Sequence, residues 1–241
     1  MTLVAGRGWI QPLRTLCRRV LYFPLACGGG TKRTRRAFPG LSAPGSSVKA
    51  VIEVLASLTL VVVDVETTGW LDQQGEITEI GAVRLTGGQL TGEFSSLVRP
   101  SGPIPADITA LTGITDAMVS RAPLVAATIR AFLAFAGDCV LVAHNAPFDT
   151  GFLEAACSAA GIAWPRAAVL DTAVMARLLL SPDDVPDCRL ATLADYFGAK
   201  TAPTHRALPD AKATADVLAG LFGYAAGQRP PATPRLLSVA S

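Results

Sequence analysis

Residues 61–69 read VVVDVETTG. The fold assignment turns on how two carboxylates, Asp64 and Glu66, fit a run that otherwise has the composition of a buried strand. Leu58 to Val65 is dominated by leucine and valine, the pattern of a strand covered on both faces. An unpaired carboxylate there is expensive to desolvate. Side chains two apart on a strand share a face, so Asp64 and Glu66 project together and repel each other. A hard cation between them, Mg²⁺ or Mn²⁺, relieves that repulsion. Taken alone, the pair reads more readily as an exposed acidic strand end. Thr67-Thr68-Gly69 then ends the strand with free N–H groups and a turn-tolerant residue, a setting suited to a phosphate or sugar.

Outward from this strand, EITEIGAVRL (76–85) and QLTGEFSSLV (89–98) flank Gly87-Gly88, a pair able to form a tight hairpin turn. Helical periodicity covers 122–136. Val140–Ala143 is a short buried strand, and Pro147 opens a helix that Gly161 ends. Helical patterns follow at 171–180 and 190–197, and a last helix runs from about Pro209 to Phe222. Strands first, then helices alternating with further strands, predict an α/β domain with a mixed sheet.

The totals bound the remaining possibilities. The chain has 241 residues, half of them apolar and 17% charged, enough for one sizeable core. No run approaches the ~20 apolar residues of a membrane-spanning helix, because Arg14, Arg18 and Arg19 interrupt the early apolar stretch, so no membrane partner is expected. Five cysteines without CxxC spacing suggest neither a disulfide framework nor a zinc site, and a reducing, cytoplasmic compartment is expected. The net charge of +2 hides an asymmetry: residues 1–56 carry nine Lys or Arg and one acid, the remainder twelve bases and eighteen acids.

Residues 1–57 therefore read as a basic, largely disordered arm and 58–224 as the folded domain, with 225–241 a Pro-rich tail. The arm also has the composition of a transit peptide. Its segment RRVLYFPLAC (18–27) imitates a lipoprotein signal with a very short apolar part. A solvated basic tail is the preferred reading, and such an arm could add salt-sensitive affinity for a polyanion.

Two further clusters hold chemistry. HNAPFD (144–149) places Asp149 in the first turn of the Pro147 helix, where the helix dipole favours a carboxylate. HRALPDA (205–211) places His205 five residues ahead of Asp210. An imidazole can accept a proton at neutral pH and a nearby carboxylate can hold metal. Each cluster alone reads as a structural contact. Together they put both histidines of the chain, His144 and His205, beside acids at strand ends or helix starts.

This combination resembles the DEDDh 3′–5′ exonuclease family, which includes the proofreading epsilon subunit of bacterial DNA polymerase III. The resemblance spans roughly 58–223: DVETTG, HNAPFD and HRALPD match its three motifs in order, and LTGIT (111–115) and LDTAVMARLLL (170–180) its intervening segments. It implies an RNase H-like fold, a five-stranded mixed sheet flanked by helices. It further implies that Asp64, Glu66, Asp149 and Asp210 hold two Mg²⁺ or Mn²⁺ ions, with His205 as general base and His144 as the competing candidate. Position 206 is Arg where the tyrosine branch has Tyr, which favours the histidine branch. The resemblance also implies that Thr67, Thr68, Leu111 and Phe148 line the site of the terminal nucleotide. Arg206, Lys200 and Lys212 are candidate phosphate contacts. The expected substrate is a single-stranded or frayed 3′ end of DNA, in repair or proofreading, with a DNA polymerase subunit as a possible partner. RNA trimming, or nucleic-acid binding without catalysis, is the alternative.

Overall fold

The computed structural model describes residues 21–22, 54–165 and 167–228; the rest of the basic arm and of the Pro-rich tail lie outside the described residues. The elements are strands β1 (Leu21–Tyr22), β2 (Thr59–Thr67), β3 (Ile77–Thr86) and β4 (Gln89–Leu97), then helices α1 (Ala106–Thr112), α2 (Asp116–Val119) and α3 (Val125–Ala136). Strand β5 (Val140–Ala143), helix α4 (Pro147–Ala159), strand β6 (Val169–Asp171) and helices α5 (Thr172–Leu179), α6 (Leu190–Phe197) and α7 (Ala207–Ala225) follow.

The sheet order is β1-β6-β5-β2-β3-β4. β2, β5 and β6 run parallel, and β3 and β4 extend the sheet as an antiparallel meander. These five strands are the expected mixed sheet. Two residues of the basic arm, β1, add a short antiparallel edge to β6 that composition did not announce. The hairpin turn between β3 and β4 forms at Gly87 and Gly88, with φ of 56° and 76°, conformations that a Cβ would disfavour.

The valine run of β2 is buried on both faces, and alternation divides it. Val61, Val63 and Val65 pack with Ile129, Phe132, Phe152 and Leu153 of α3 and α4. Leu60 and Val62 pack on the opposite face with Met175, Leu193, Val217 and Leu218 of α5, α6 and α7. Burying each such side chain is worth about 1.5–3 kcal/mol, so both layers hold the sheet firmly. Period two then carries Asp64 and Glu66 onto the α7 side.

Several boundaries moved. The last helix starts at Ala207, two residues ahead of Pro209. Pro209 still falls in the first turn, where its missing N–H has no intrahelical partner to lose. α1, α2 and the three-residue β6 were not read from the sequence. They are too short for a periodic signal, and β6 is defined by its pairing with β5 and β1.

Candidate active site

The site lies at the carboxyl ends of the parallel strands, where crossover connections leave a crevice in open α/β sheets. β2 delivers Asp64 and Glu66. The turn after β5 delivers HNAPFD, and α7 returns across the sheet with HRALPD at its start. Carboxylate oxygens of Asp64, Glu66 and Asp210 lie within 4.8 Å of one another. Asp149, 3% exposed, reaches over from α4, and its Oδ1 accepts the Val65 N–H at 3.0 Å. Asp149 is thus fixed beside β2 without joining the three-oxygen cluster.

Two features bring α7 close. Gly81 of β3 pairs with Asp64; a Cβ there would lie 2.2 Å from Ala207 C and Leu208 N. Only glycine admits the helix start at this height. Asp210 Oδ1 accepts the Thr204 N–H at 2.7 Å, which folds the third motif over its own carboxylate. Between them His205 is exposed, with a left-handed φ of 55°. That conformation is uncommon for a non-glycine residue and recurs at functional sites.

The electrostatics follow from this crowding. Burial, then Asp149, Glu66 and Asp210, hold the Asp64 carboxyl well above the usual range. Burial, then Asp210 and Glu79, push Glu66 up to about 7, with Arg206 opposing. Burial also raises Asp149, against the Val65 N–H, and raises Asp210 against the Thr204 N–H and the charge of His205. Hard, mutually repelling oxygen donors of this kind suit a divalent cation, which would compensate the repulsion directly.

The exonuclease family model, of RNase T type, matches residues 61–218, a span that contains every carboxylate of the cluster and both histidine motifs. The chain belongs to this exonuclease family. Its resemblance to DEDD-type exonucleases is borne out, and so is the RNase H-like fold. A putative bifunctional exonuclease/endonuclease protein of Mycobacterium tuberculosis (strain CDC 1551 / Oshkosh) is 48% identical over 82% of this chain and 32% of its own length. A PolC-type DNA polymerase III of Caldanaerobacter subterraneus subsp. tengcongensis is 43% identical over 65% of this chain and 11% of its own length. The chain thus spans a third or less of these relatives. Among solved structures, Exonuclease X in complex with 5′ overhanging duplex DNA aligns with a TM-score of 0.55 and 29% identity, over 70% of this chain and 93% of that one.

The other expected site residues are placed unevenly. Thr67 is buried and its hydroxyl donates to the Gly69 carbonyl at 2.8 Å. The Thr68 hydroxyl accepts the Glu76 N–H at 2.9 Å, so both threonines brace the turn. Leu111 is 53% exposed, and Phe148 is half-buried against Phe152. His144, the competing base, is occupied on both ring nitrogens: Nε2 faces the Cys188 carbonyl at 3.0 Å and Nδ1 the Thr172 hydroxyl at 2.9 Å. A carbonyl can only accept, so Nε2 carries a proton. Burial lowers the pKa of this ring, which fits a structural, neutral histidine. Arg206, expected near phosphate, turns inward to Glu79, and Lys212 pairs with Glu93 at 2.9 Å.

Three residues escaped the sequence reading. Glu79 is 3% exposed on β3, directly opposite Glu66; an acid inside the otherwise apolar ITEIGAV run was the available signal. Asp171 is buried and accepts the N–H groups of Asn145, Ala146, Ala173 and Val174, capping α5 while gripping the HNAPFD turn. Its signal was an Asp at the first position of a helical pattern. Trp70, 63% exposed, meets Phe148 edge-on at 5.7 Å between centroids. A large aromatic side chain beside the threonine turn can stack on a base.

Proposed function

We propose that this exonuclease hydrolyses phosphodiester bonds at the 3′ end of DNA with two Mg²⁺ or Mn²⁺ ions, acting in proofreading or repair. The observation that carries the proposal is the convergence of Asp64, Glu66 and Asp210 within 4.8 Å, although 146 positions separate the first from the last. The likeness to Exonuclease X in complex with DNA supports a DNA substrate. The likeness to PolC-type polymerase III supports a partnership with a polymerase.

In this reading Asp64, Glu66, Asp149 and Asp210 would hold the cations. When bound, the cations would offset carboxylate and phosphate charge and acidify water. His205, exposed on a strained loop beside Asp210, takes the proton of the attacking water. Trp70, Leu111 and Phe148 flank the terminal bases, and the braced threonine turn presents its backbone to the terminal sugar. No helix among the described residues is long and apolar enough to cross a membrane. The free thiols of Cys139, Cys157 and Cys188 fit a reducing, cytoplasmic setting.

Digestion of matched 3′-labelled DNA and RNA single strands in Mg²⁺ and in Mn²⁺ tests the proposal. Faster DNA digestion, abolished in Asp64→Ala, is expected, and His205→Ala should lose rate with little change in binding. Preferential RNA digestion would reassign the substrate. Undiminished turnover by Asp64→Ala would refute the catalytic reading.

A further inference from the structure

The buried acid of β3 is not explained by the carboxylate cluster or by packing. Glu79 points to the same face as Asp64 and Glu66, because cross-strand partners share a face and Glu79 pairs with Glu66. It adds negative charge where three carboxylates already repel, and it contributes to raising both Asp64 and Glu66. A buried ion pair is also a poor way to gain stability alone, since apolar residues of similar volume commonly do as well.

The side-chain hydrogen bonds of Glu79 run to the third motif. Its Oε2 accepts from Arg206 Nε at 2.9 Å and from the Ala207 N–H at 3.0 Å, and Oε1 accepts from Arg206 Nη2 at 2.8 Å. The guanidinium fork fixes direction as well as distance, which a lysine could not do. Arg206 immediately precedes α7 and sits between His205, in its left-handed conformation, and Asp210, four positions on. Residues 127 apart in sequence are thereby locked at the point where the candidate base and a candidate metal ligand leave the same loop.

We propose that Glu79 and Arg206 form a clamp of positioning residues for hydrolysis, holding the His205 loop and Asp210 in register with Asp64 and Glu66. The proposal rests on the exonuclease reading above. The clamp does not touch substrate: it acts through His205 and Asp210, and its loss lets the third motif drift by fractions of an ångström. Because the reacting groups must be held closely, such drift falls on turnover rather than on substrate affinity.

Steady-state digestion of a 3′-labelled DNA single strand in Mn²⁺ tests the clamp on wild type, Glu79→Gln, Arg206→Ala and the double variant. Each is melted in parallel so that rates refer to folded protein. Each single change should lower kcat about 10- to 100-fold with KM within about threefold. The double variant should be no slower than the worse single, the signature of one shared device. Millimolar guanidinium should restore part of the rate of Arg206→Ala, a rescue that a general loss of packing would not give. A kcat for folded Glu79→Gln within about threefold of wild type overturns the clamp. So does a raised KM in Arg206→Ala with multiplicative effects in the double variant, which would assign Arg206 to substrate phosphate. Should Glu79→Gln fail to fold, Arg206→Lys keeps the charge without the fork, and an unchanged kcat there refutes the clamp. A wild type inactive on DNA and RNA refutes the exonuclease reading itself, whereas an active wild type with unaffected variants refutes the clamp alone.

Discussion

Gly81→Ala is the smallest perturbation that separates close approach from mere proximity in this site. The added methyl carbon would sit 2.2 Å from Ala207 C and Leu208 N and 2.6 Å from Ala207 O, where ordinary contact begins at 3.4 Å. Those atoms are backbone, so no rotamer change relieves the overlap. The start of α7 must withdraw by about 1 Å, which is a large fraction of the range over which packed atoms attract. Overpacking of this kind destabilises by about 1–3 kcal/mol, a fall in Tm of roughly 2–12 °C for a domain of this size. The same displacement carries Ala207 away from Glu79 and moves Asp210, one turn further along. Misplacement by about 1 Å typically reduces turnover on the order of 100-fold. A parallel thermal melt and kcat measurement on a 3′-labelled strand read both quantities. The sign is diagnostic, because glycine inside a strand is otherwise a weakness that alanine would repair. A variant as stable and as fast as wild type would show that β3 and α7 are not wedged together, and the account of how the third motif is positioned would fall.

Other outcomes follow from the same geometry. In chelator, the carboxylate cluster makes stability fall as pH rises. Glu66 moves from 4.5 to about 7 on folding, so the folded state binds more protons than the unfolded state between those values. That contribution is intact below pH 4.5 and lost through pH 7, at about 1.4 kcal/mol per pH unit or about 3 kcal/mol in all for this group. Mn²⁺ should reverse the loss at pH 8, and a metal-free Tm that climbs from pH 5 to pH 8 would contradict this ledger. Asp171→Asn should lower stability by about 2–3 kcal/mol, since it puts an amide donor against backbone N–H groups that now find a charged acceptor; urea titration measures it, and a loss below ~0.5 kcal/mol would mean the HNAPFD turn is held elsewhere. Trp70→Ala should raise KM for single-stranded DNA about tenfold, consistent with ~1–3 kcal/mol for stacking on a base, while kcat changes little; an unchanged KM would remove Trp70 from the substrate path.

Short-range patterns made the fold and most of the candidate site legible in the sequence. The valine run of β2, the Gly87-Gly88 turn, Pro147 at the opening of α4 and the three acidic motifs are each set by neighbours within a few positions, so composition and period expose them. β6 and the early edge strand β1 were not legible, because a strand of two or three residues has no period and is defined by its hydrogen-bonded partner.

The two histidines mark the boundary most clearly. Each stands in a motif with an acid, and residue type alone lets either act as a base, with the family resemblance favouring His205; only the packed chain presents the Cys188 carbonyl and Thr172 hydroxyl to one ring while leaving the other exposed. Arg206 changed meaning for the same reason. A cation among motif residues reads as a phosphate ligand until β3 brings Glu79 to it across 127 positions. Sequence alone marked which side chains are candidates for the chemistry, because residue type and local spacing decide what a carboxylate or imidazole can do. Tertiary structure decided which of them are already partnered, because desolvation and pairing depend on strand register and helix approach, and neither is encoded within any one segment.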